Sequence, residues 1–375
     1  MNRRRVTVAA AAVGVVAGAA GLGVLALPAG AGPAPVLPDV SAESLVESVL
    51  TAKPAAFGGA VEVRNDLGIP ALAGLPQLSD GESKLRMWTD GEGRVRVQLP
   101  AGDAERTFVD DGRTGWLWNS ADQVVTKLPH GSAGQPKIDL DQDRDGQLPP
   151  DPVSLSREVV AKVKEFSDVT VDGTARVAGR STYELVLTPK PTERTVLREV
   201  RVAVDAELRV PLRVAVLTNG TNNPAVQVGF TDLTVGPQDA ALFSFTPPPG
   251  AKVAEAAVQK PSDEEKALAE GVLAEAAPQV HGEGWDVVLT AKTPAGALRV
   301  PAGQEGSGDR PGRGERDDVD VQGLLKQLGK QVSGPWGSGT LITTKVGGVL
   351  LADDGRVAFG PVPEQVLTEA IAKVK

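Results

Sequence analysis

The period of the hydrophobic pattern changes near residue 57. From Ser41 to Leu50 apolar residues recur every three or four positions, which predicts an amphipathic helix with Ser41 as its N-cap and its end before Pro54. From Phe57 onward apolar and polar residues alternate in short runs, which is typical of strands. Tight turns are predicted at Asp90-Gly91 and Asp111-Gly112. The strands predicted in this first set are GGAVEVRN, SKLRMWTD, GRVRVQLP, RTFVDDG, TGWLWNS and QVVTKLP.

A polar stretch rich in Gly and Pro, His130 to Pro152, interrupts the strands and predicts a surface loop or lid. A second helix is predicted from about Ser154 to Phe166. Residues 41–254 are therefore interpreted as one α+β domain, in which a strongly curved antiparallel sheet, an open half-barrel, is covered by helices. The later strands of this domain are DVTVDGTARVAG, STYELVLTPK, TVLREVRVAVD, ELRVPLRVAVLT, PAVQVGFTDLTV and FSFTP.

The pattern changes again in the final third of the chain. Residues 255–278 are predicted to form a connecting helix, and residues 279–375 a smaller α+β module. A loop at 301–318, rich in Gly and in charges of both signs, is predicted to be disordered. The module's predicted strands are WDVVLTAK, TLITTKVGG, VLLADD and RVAFG, and its predicted helices are QGLLKQLGKQV and PEQVLTEAIAKVK.

The first thirty residues indicate export. Arg3, Arg4 and Arg5 precede an uncharged run from Val6 to Leu27, and small residues at Ala29 and Ala31 offer a cleavage site. Residues 1–31 are predicted to be a signal peptide and residues 32–40 a linker. The run is also long enough to cross a bilayer if it is not cleaved, so an N-terminal anchor is the alternative. Either interpretation predicts an extracytoplasmic protein, secreted or associated with the cell envelope.

Composition excludes several classes of function. The chain has no cysteine, so it carries no disulfide, no thiolate nucleophile and no lipid-modified cysteine. Its formal net charge of -9 argues against nucleic acid as a partner. Only two histidines are present, His130 and His281, and no catalytic motif surrounds either of them, so the sequence does not predict an enzyme.

One acidic loop resembles part of a calcium site. Asp141, Asp143 and Asp145 begin a D-x-D-x-D-G pattern, but Pro152 stands at the twelfth position, where such a loop needs a bidentate glutamate. A solvated acidic loop is the favoured interpretation, and no metal or cofactor is predicted.

Strand alternation predicts a large apolar sheet face. Residues two apart in a strand share a face, so the apolar positions of neighbouring strands form a surface that is either a filled core or a cleft for hydrocarbon. Trp88, Trp116 and Trp118 are proposed for the mouth of such a cleft, with core packing as the alternative. The predicted ligand-binding residues are Leu85, Met87, Trp88, Val97, Trp116, Trp118, Val214, Val216 and Phe230.

Three phrases carry a family resemblance. VDDGRTGWLWN, YELVLTPK and FSFTPPPGAKV, in this order and spacing, are similar to the corresponding phrases of LolA-type lipoprotein carriers and their RseB-like relatives. The resemblance covers roughly Val40 to Val253. The arginine-proline step typical of the carriers is missing from SKLRMWTDGEGRVRV, where Arg86 or Arg94 are the available substitutes.

The resemblance implies a binding protein. A LolA-like domain is expected to hold the acyl chains of a lipid or lipoprotein against a curved sheet and to cooperate with a membrane transporter. An RseB-like protein is instead expected to bind a single-pass membrane regulator, an anti-sigma factor, and the smaller C-terminal module keeps this alternative open. A structural envelope module with a filled core is the third hypothesis.

Overall fold

A computed structural model describes residues 35–69, 80–102, 104–129, 161–255, 276–292, 299–300, 319–320 and 329–374. The chain divides into two compact units. The first comprises Met1–Lys190 and Arg198–Val258, and the second comprises Pro191–Leu197 and Gln259–Lys375. The predicted signal peptide, the acidic loop with Asp141, Asp143 and Asp145, and the loop at 301–318 lie outside the described residues. Among the described residues no helix is long and apolar enough to cross a membrane.

The first unit is built on one large open sheet. Its strand order is β12-β6-β5-β4-β3-β2-β1-β11-β10-β9-β8-β7, so the ends do not close into a barrel. The strands are β1 Phe57–Asn65, β2 Gly81–Thr89, β3 Val95–Ala101, β4 Ala104–Asp110, β5 Thr114–Asn119, β6 Val124–Pro129, β7 Ser167–Val177, β8 Arg180–Pro189, β9 Leu197–Asp205, β10 Pro211–Thr218, β11 Val226–Val235 and β12 Lys252–Glu255. The α+β class and the large open sheet agree with the sequence prediction.

One edge of this sheet differs from the prediction. FSFTP does not form a strand, because Ala240–Phe243 forms a 3-10 helix and the prolines that follow lack the N–H groups that a sheet requires. The last strand is instead β12, which pairs with β6 in the parallel direction. The sheet is therefore mixed at this edge, whereas the sequence predicted antiparallel pairing throughout.

Two helical segments are described in the first unit. Helix α1, Ala42–Leu50, begins at Ser41, whose side chain accepts a hydrogen bond from the Ser44 N–H at 3.1 Å, as the sequence predicts. Leu45 of α1 is fully buried. Residues 161–166 are also helical, and Lys164 forms an ion pair with Glu43 of α1.

The second unit is a smaller antiparallel sheet packed on a helix. The strand order is β13-β14-β20-β19-β18-β17, and α2, Glu364–Ile371, packs on one face through Leu367 and Ile371. Residues 330–334 form strand β17, so the predicted helix QGLLKQLGKQV does not extend to Val332, and residues 321–328 lie outside the described part. The strands are β13 Gln279–His281, β14 Val288–Lys292, β15 Arg299–Val300, β16 Val319–Asp320, β17 Lys330–Gly334, β18 Gly337–Thr344, β19 Gly347–Ala352 and β20 Arg356–Gly360, with β15 and β16 forming a separate pair.

Arg356 connects the sheet of the second unit to α2. Its Nη1 donates to the carbonyl oxygens of Ile371 at 2.9 Å and Val374 at 3.1 Å, at the C-terminal end of the helix. Its Nη2 donates to the Trp336 carbonyl at 2.6 Å. A cation is favoured at this end of a helix because the last carbonyl groups have no partner within the helix.

Candidate functional site

The registers of the large sheet assign every residue from β12 to β10 to one of two faces. Residues that pair directly across an antiparallel ladder carry their side chains on the same face. Met87 pairs with Val97 and with Gly59, and Val63 pairs with Val228, which in turn pairs with Val214. One face is consequently apolar across eight neighbouring strands, and we call it the apolar face. Its members are Val61, Val63, Leu85, Met87, Val95, Val97, Leu99, Phe108, Leu117, Val124, Leu128, Val214, Val216, Val226, Val228 and Phe230.

The apolar face is not packed as a core. Of its members only Val61 is buried, and the others are half-buried or exposed. Leu117 is 40% exposed and Val228 is 37% exposed, on strands far apart in the sheet. Contiguous exposed apolar surface is typical of sites where proteins bind a ligand, a membrane or another protein.

Six of the nine predicted ligand-binding residues lie together on this face: Leu85, Met87, Val97, Val214, Val216 and Phe230. At one edge of it Phe230 and Leu233 pack against a small buried cluster of Val177, Ala203 and Leu212. The ring of Phe57 meets that of Phe230 edge to face, with centroids 5.7 Å apart. Phe230 therefore joins the apolar face to the folded core of the first unit.

The three predicted tryptophans lie on the opposite face of the sheet. Trp88 pairs with Arg96, Arg96 with Val109, and Val109 with Trp116, while Trp118 pairs with Val125. Trp88 is also not on a strand adjacent to the other two, because β3 and β4 lie between β2 and β5. The nine predicted residues consequently form two separate groups rather than one cleft.

Residues 236–251, which we call the return segment, cover the tryptophan side of the sheet. Phe243 is fully enclosed there, the Arg94 guanidinium lies 5.2 Å from its ring centroid, and Arg96 Nη1 donates to the Leu242 carbonyl at 3.3 Å. The rings of Trp116 and Phe245 lie 5.7 Å apart. The two phrases VDDGRTGWLWN and LFSFTPPPGAKV therefore meet in the fold, through Trp116 and Phe245.

Sequence reasoning missed Phe108 and Leu117 on the apolar face. Phe108 pairs with both Val97 and Leu117, so it stands near the centre of the surface. In TGWLWN the prediction is based on the two large tryptophans, which share one face of the sheet. Leu117 lies between them and its side chain is on the opposite face. Alternation alone could have assigned Leu117 to the face opposite the tryptophans.

Charge is nearly absent from the apolar face. On strands β1 to β6, β10 and β11 the registers place just two charged side chains on this face, Arg106 and Asp110, at opposite ends of β4. The described residues hold no cluster of His, Cys, Asp or Glu that could bind a metal ion. A surface with this chemistry can bind hydrocarbon through burial of apolar area.

The turn between β4 and β5 fixes the tryptophan strand. Trp116 Nε1 donates to Asp111 Oδ2 at 3.1 Å, and the N–H groups of Arg113 and Thr114 donate to Asp111 Oδ1, each at 2.8 Å. Burial by itself raises the pKa of Asp111, but these hydrogen bonds outweigh it and the pKa is lowered. Asp111 is thus an ionised anchor for the turn at neutral pH.

The lowered pKa of Asp111 makes this turn sensitive to acid. A carboxyl whose pKa is lower in the folded than in the unfolded state stabilises the fold above the unfolded value of about 3.9, and this contribution is lost as the pH falls through the folded value. Replacing Asp111→Asn should reduce the loss of unfolding free energy between about pH 5 and pH 2, measured by urea unfolding. Asp168→Asn, at an exposed position of β7, is the control, and an equal effect of both variants would contradict the role given to Asp111.

A family model covers much of the first unit. Residues 75–256 match the DUF2092 family. The family is described as "Predicted periplasmic protein", and the match includes the apolar face from β2 to β6 as well as the return segment. No curated protein matched the chain.

Solved structures similar to this chain come from several bacteria. A chain of the Pseudomonas aeruginosa MucA/MucB complex is 16% identical, with a TM-score of 0.36, and the match covers 88% of this chain and 96% of that chain. A LolA superfamily protein from Nitrosomonas europaea is 13% identical, with a TM-score of 0.23, and the match covers 55% and 99%. A putative outer membrane lipoprotein-sorting protein domain from Vibrio parahaemolyticus is 9% identical, with a TM-score of 0.21, and the match covers 53% and 94%. The description of the matched family as periplasmic agrees with the extracytoplasmic location that the sequence predicts.

Proposed function

We infer that the protein is an extracytoplasmic carrier that binds the acyl chains of a lipid or lipoprotein on the apolar face of its large sheet. The observation that carries this inference is the half-exposed apolar surface running from β6 to β10, which has charged side chains only at the two ends of β4. No catalytic role is part of the proposal.

The energetics favour a long hydrocarbon chain as the ligand. Burying a methylene group contributes about 0.8 kcal/mol, so a chain of ordinary fatty-acid length gains enough free energy to bind without any charged contact. Met87 lies near the middle of the surface, and its flexible thioether side chain can adapt to chains of different shape. Residues from several strands would contact the hydrocarbon chain, so no single side chain determines which ligand binds.

The test is to purify the full-length protein without detergent, extract it with organic solvent and analyse the extract by lipid mass spectrometry. We expect lipid or acylated protein in the extract, and we expect the delipidated protein to bind a fluorescent long-chain fatty acid again. An extract without lipid, together with no binding of the fluorescent fatty acid, would refute the carrier role.

The second unit favours one alternative function, that of a sensor that binds a membrane-anchored regulator. The face of its sheet opposite α2 carries half-exposed apolar side chains, and Phe359 at its centre is 47% exposed. Chemical crosslinking to a single-pass membrane protein at this face, in a preparation that holds no lipid, would favour the sensor. The members of this face are Val280, Leu289, Ile342, Val349, Leu351, Val357 and Phe359.

A further inference from the structure

One row of residues crosses the end of the apolar face. Leu99 pairs with Arg106, Arg106 with Asn119, and Asn119 with Val124. Val124 pairs in turn with Lys252 of the parallel edge strand β12. Two cations therefore lie in one row, Arg106 on the apolar face and Lys252 beside it on β12, and we call Arg106, Asn119 and Lys252 the cationic row.

The register of β12 is supported by an independent contact. Lys127 Nζ lies 3.2 Å from Glu255 Oε1, and these two residues pair directly on the tryptophan side of the sheet. Because side chains alternate along a strand, Lys252 is placed on the side opposite to Val253, which is the apolar face. A backbone hydrogen bond also fixes the start of β12, since the Lys252 N–H donates to the Gln123 carbonyl at 2.9 Å.

The two cations lie on either side of Asn119 and Val124 in this row. Arg106 and Lys252 are three strand spacings apart, which is roughly 14 Å at about 4.8 Å per spacing. Both side chains are exposed, and neither forms an ion pair with the described residues of the sheet. Asn119 lies between them, and its Nδ2 donates to Asp122 Oδ2 in the adjoining turn at 2.5 Å. A guanidinium binds phosphate or carboxylate in a bidentate geometry that an ammonium cannot match, so Arg106 is the principal contact.

The other end of the same face holds Asp110, whose side chain is buried. Asp110 ends β4 on the apolar face, and Asp90 and Asp111 lie in the adjoining turns. Arg94 Nε donates to Asp90 Oδ2 at 2.6 Å and holds that carboxylate in place. Arg106 and Lys252 are exposed, whereas Asp110 is buried and Asp90 is paired with Arg94, so an anionic group on this side of the sheet is attracted to the cationic row.

We propose that the cationic row binds the anionic headgroup, a phosphate or carboxylate, of an amphiphile whose hydrocarbon lies on the apolar face. The proposal rests on the carrier function inferred above and specifies the chemical class of its ligand. An acidic protein with a formal net charge of -9 does not attract anions over its whole surface. A preference for an anionic headgroup must therefore arise from the local charges of the cationic row.

The experiment compares hexadecyl phosphate with hexadecanol as competitors for a neutral fluorescent probe bound to the delipidated full-length protein. We expect the wild type to bind hexadecyl phosphate about tenfold or more tightly than hexadecanol at low salt, with the preference falling as salt is added. Arg106→Gln should remove most of the preference and leave hexadecanol binding unchanged, and Lys252→Gln should weaken it a few-fold. The control is Arg113→Gln, an exposed arginine in the turn between β4 and β5 at the opposite end of β4 from Arg106, which should keep the preference.

Three results would overturn the proposal. Equal affinity of the wild type for the two amphiphiles would leave the carrier function intact and refute the headgroup site. Displacement of the probe by inorganic phosphate alone, as effective as that by hexadecyl phosphate, would show that the row takes a free anion rather than a lipid headgroup. Binding of neither amphiphile would refute the carrier function itself, and the headgroup site with it.

Discussion

Truncation of Phe243→Ala is expected to destabilise the first unit by about 3–5 kcal/mol, since removing a fully enclosed aromatic side chain loses its transfer free energy and leaves a cavity. Phe243 holds the return segment against the tryptophan side of the sheet, under the Arg94 guanidinium. The lower free energy of unfolding should appear as a lower midpoint of urea unfolding and as faster amide hydrogen exchange in β4, β5 and β6.

The control for this prediction is Val253→Ala. Val253 follows the return segment on the same side of the sheet but is 53% exposed, so its truncation should cost less than about 0.5 kcal/mol. If Phe243→Ala lowers the free energy of unfolding no more than this control, the return segment does not stabilise the sheet. The position of the tryptophans beneath the return segment would then need another explanation.

Much of this arrangement follows from local sequence rules. The helix start at Ser41 and most strand positions of the large sheet could be predicted, because alternation, capping residues and Gly-containing turns are signals that a single sequence contains. The grouping of Leu85 and Met87, and that of Val214 and Val216, could be predicted for the same reason.

Relations between distant strands could not be predicted in this way. Assigning Trp88 and Leu85 to opposite faces needs only alternation, but placing Val228 beside Val63 needs the pairing of β1 with β11, which are separated by more than 150 residues. The parallel pairing of β12 with β6 has no local signal either, and without it Lys252 cannot be connected with Arg106. The sequence therefore indicates individual large apolar side chains, whereas the surface that they share is defined only by the pairing of the strands.

The failure of FSFTP as a strand has a similar cause. Its alternating phenylalanines resemble a strand pattern, yet Phe243 is buried beside the sheet while Phe245 stacks on Trp116 without pairing. The alternating phenylalanines are explained by their packing against the face of the sheet. The prolines that follow have no N–H group to donate to a neighbouring strand.

The largest effect on ligand binding is expected from Leu117→Gln combined with Val228→Gln. Both side chains are already more than one third exposed, so the substitutions should leave the fold intact. Each removes apolar contact with the hydrocarbon and introduces an amide that must lose water on binding. At about 0.8 kcal/mol per methylene equivalent, the dissociation constant for a long-chain fatty acid should rise about ten- to hundredfold.

The direct measurement is the affinity of a fluorescent long-chain fatty acid for three delipidated proteins: the wild type, the Leu117→Gln/Val228→Gln variant, and Val253→Gln. Val253→Gln is the matched control, because it changes an exposed valine on the opposite side of the same sheet. Carriage of acyl chains on the apolar face predicts tight binding by the wild type and the control, and weak binding by the double variant. Unchanged binding by the double variant, or an equal loss in Val253→Gln, would contradict it.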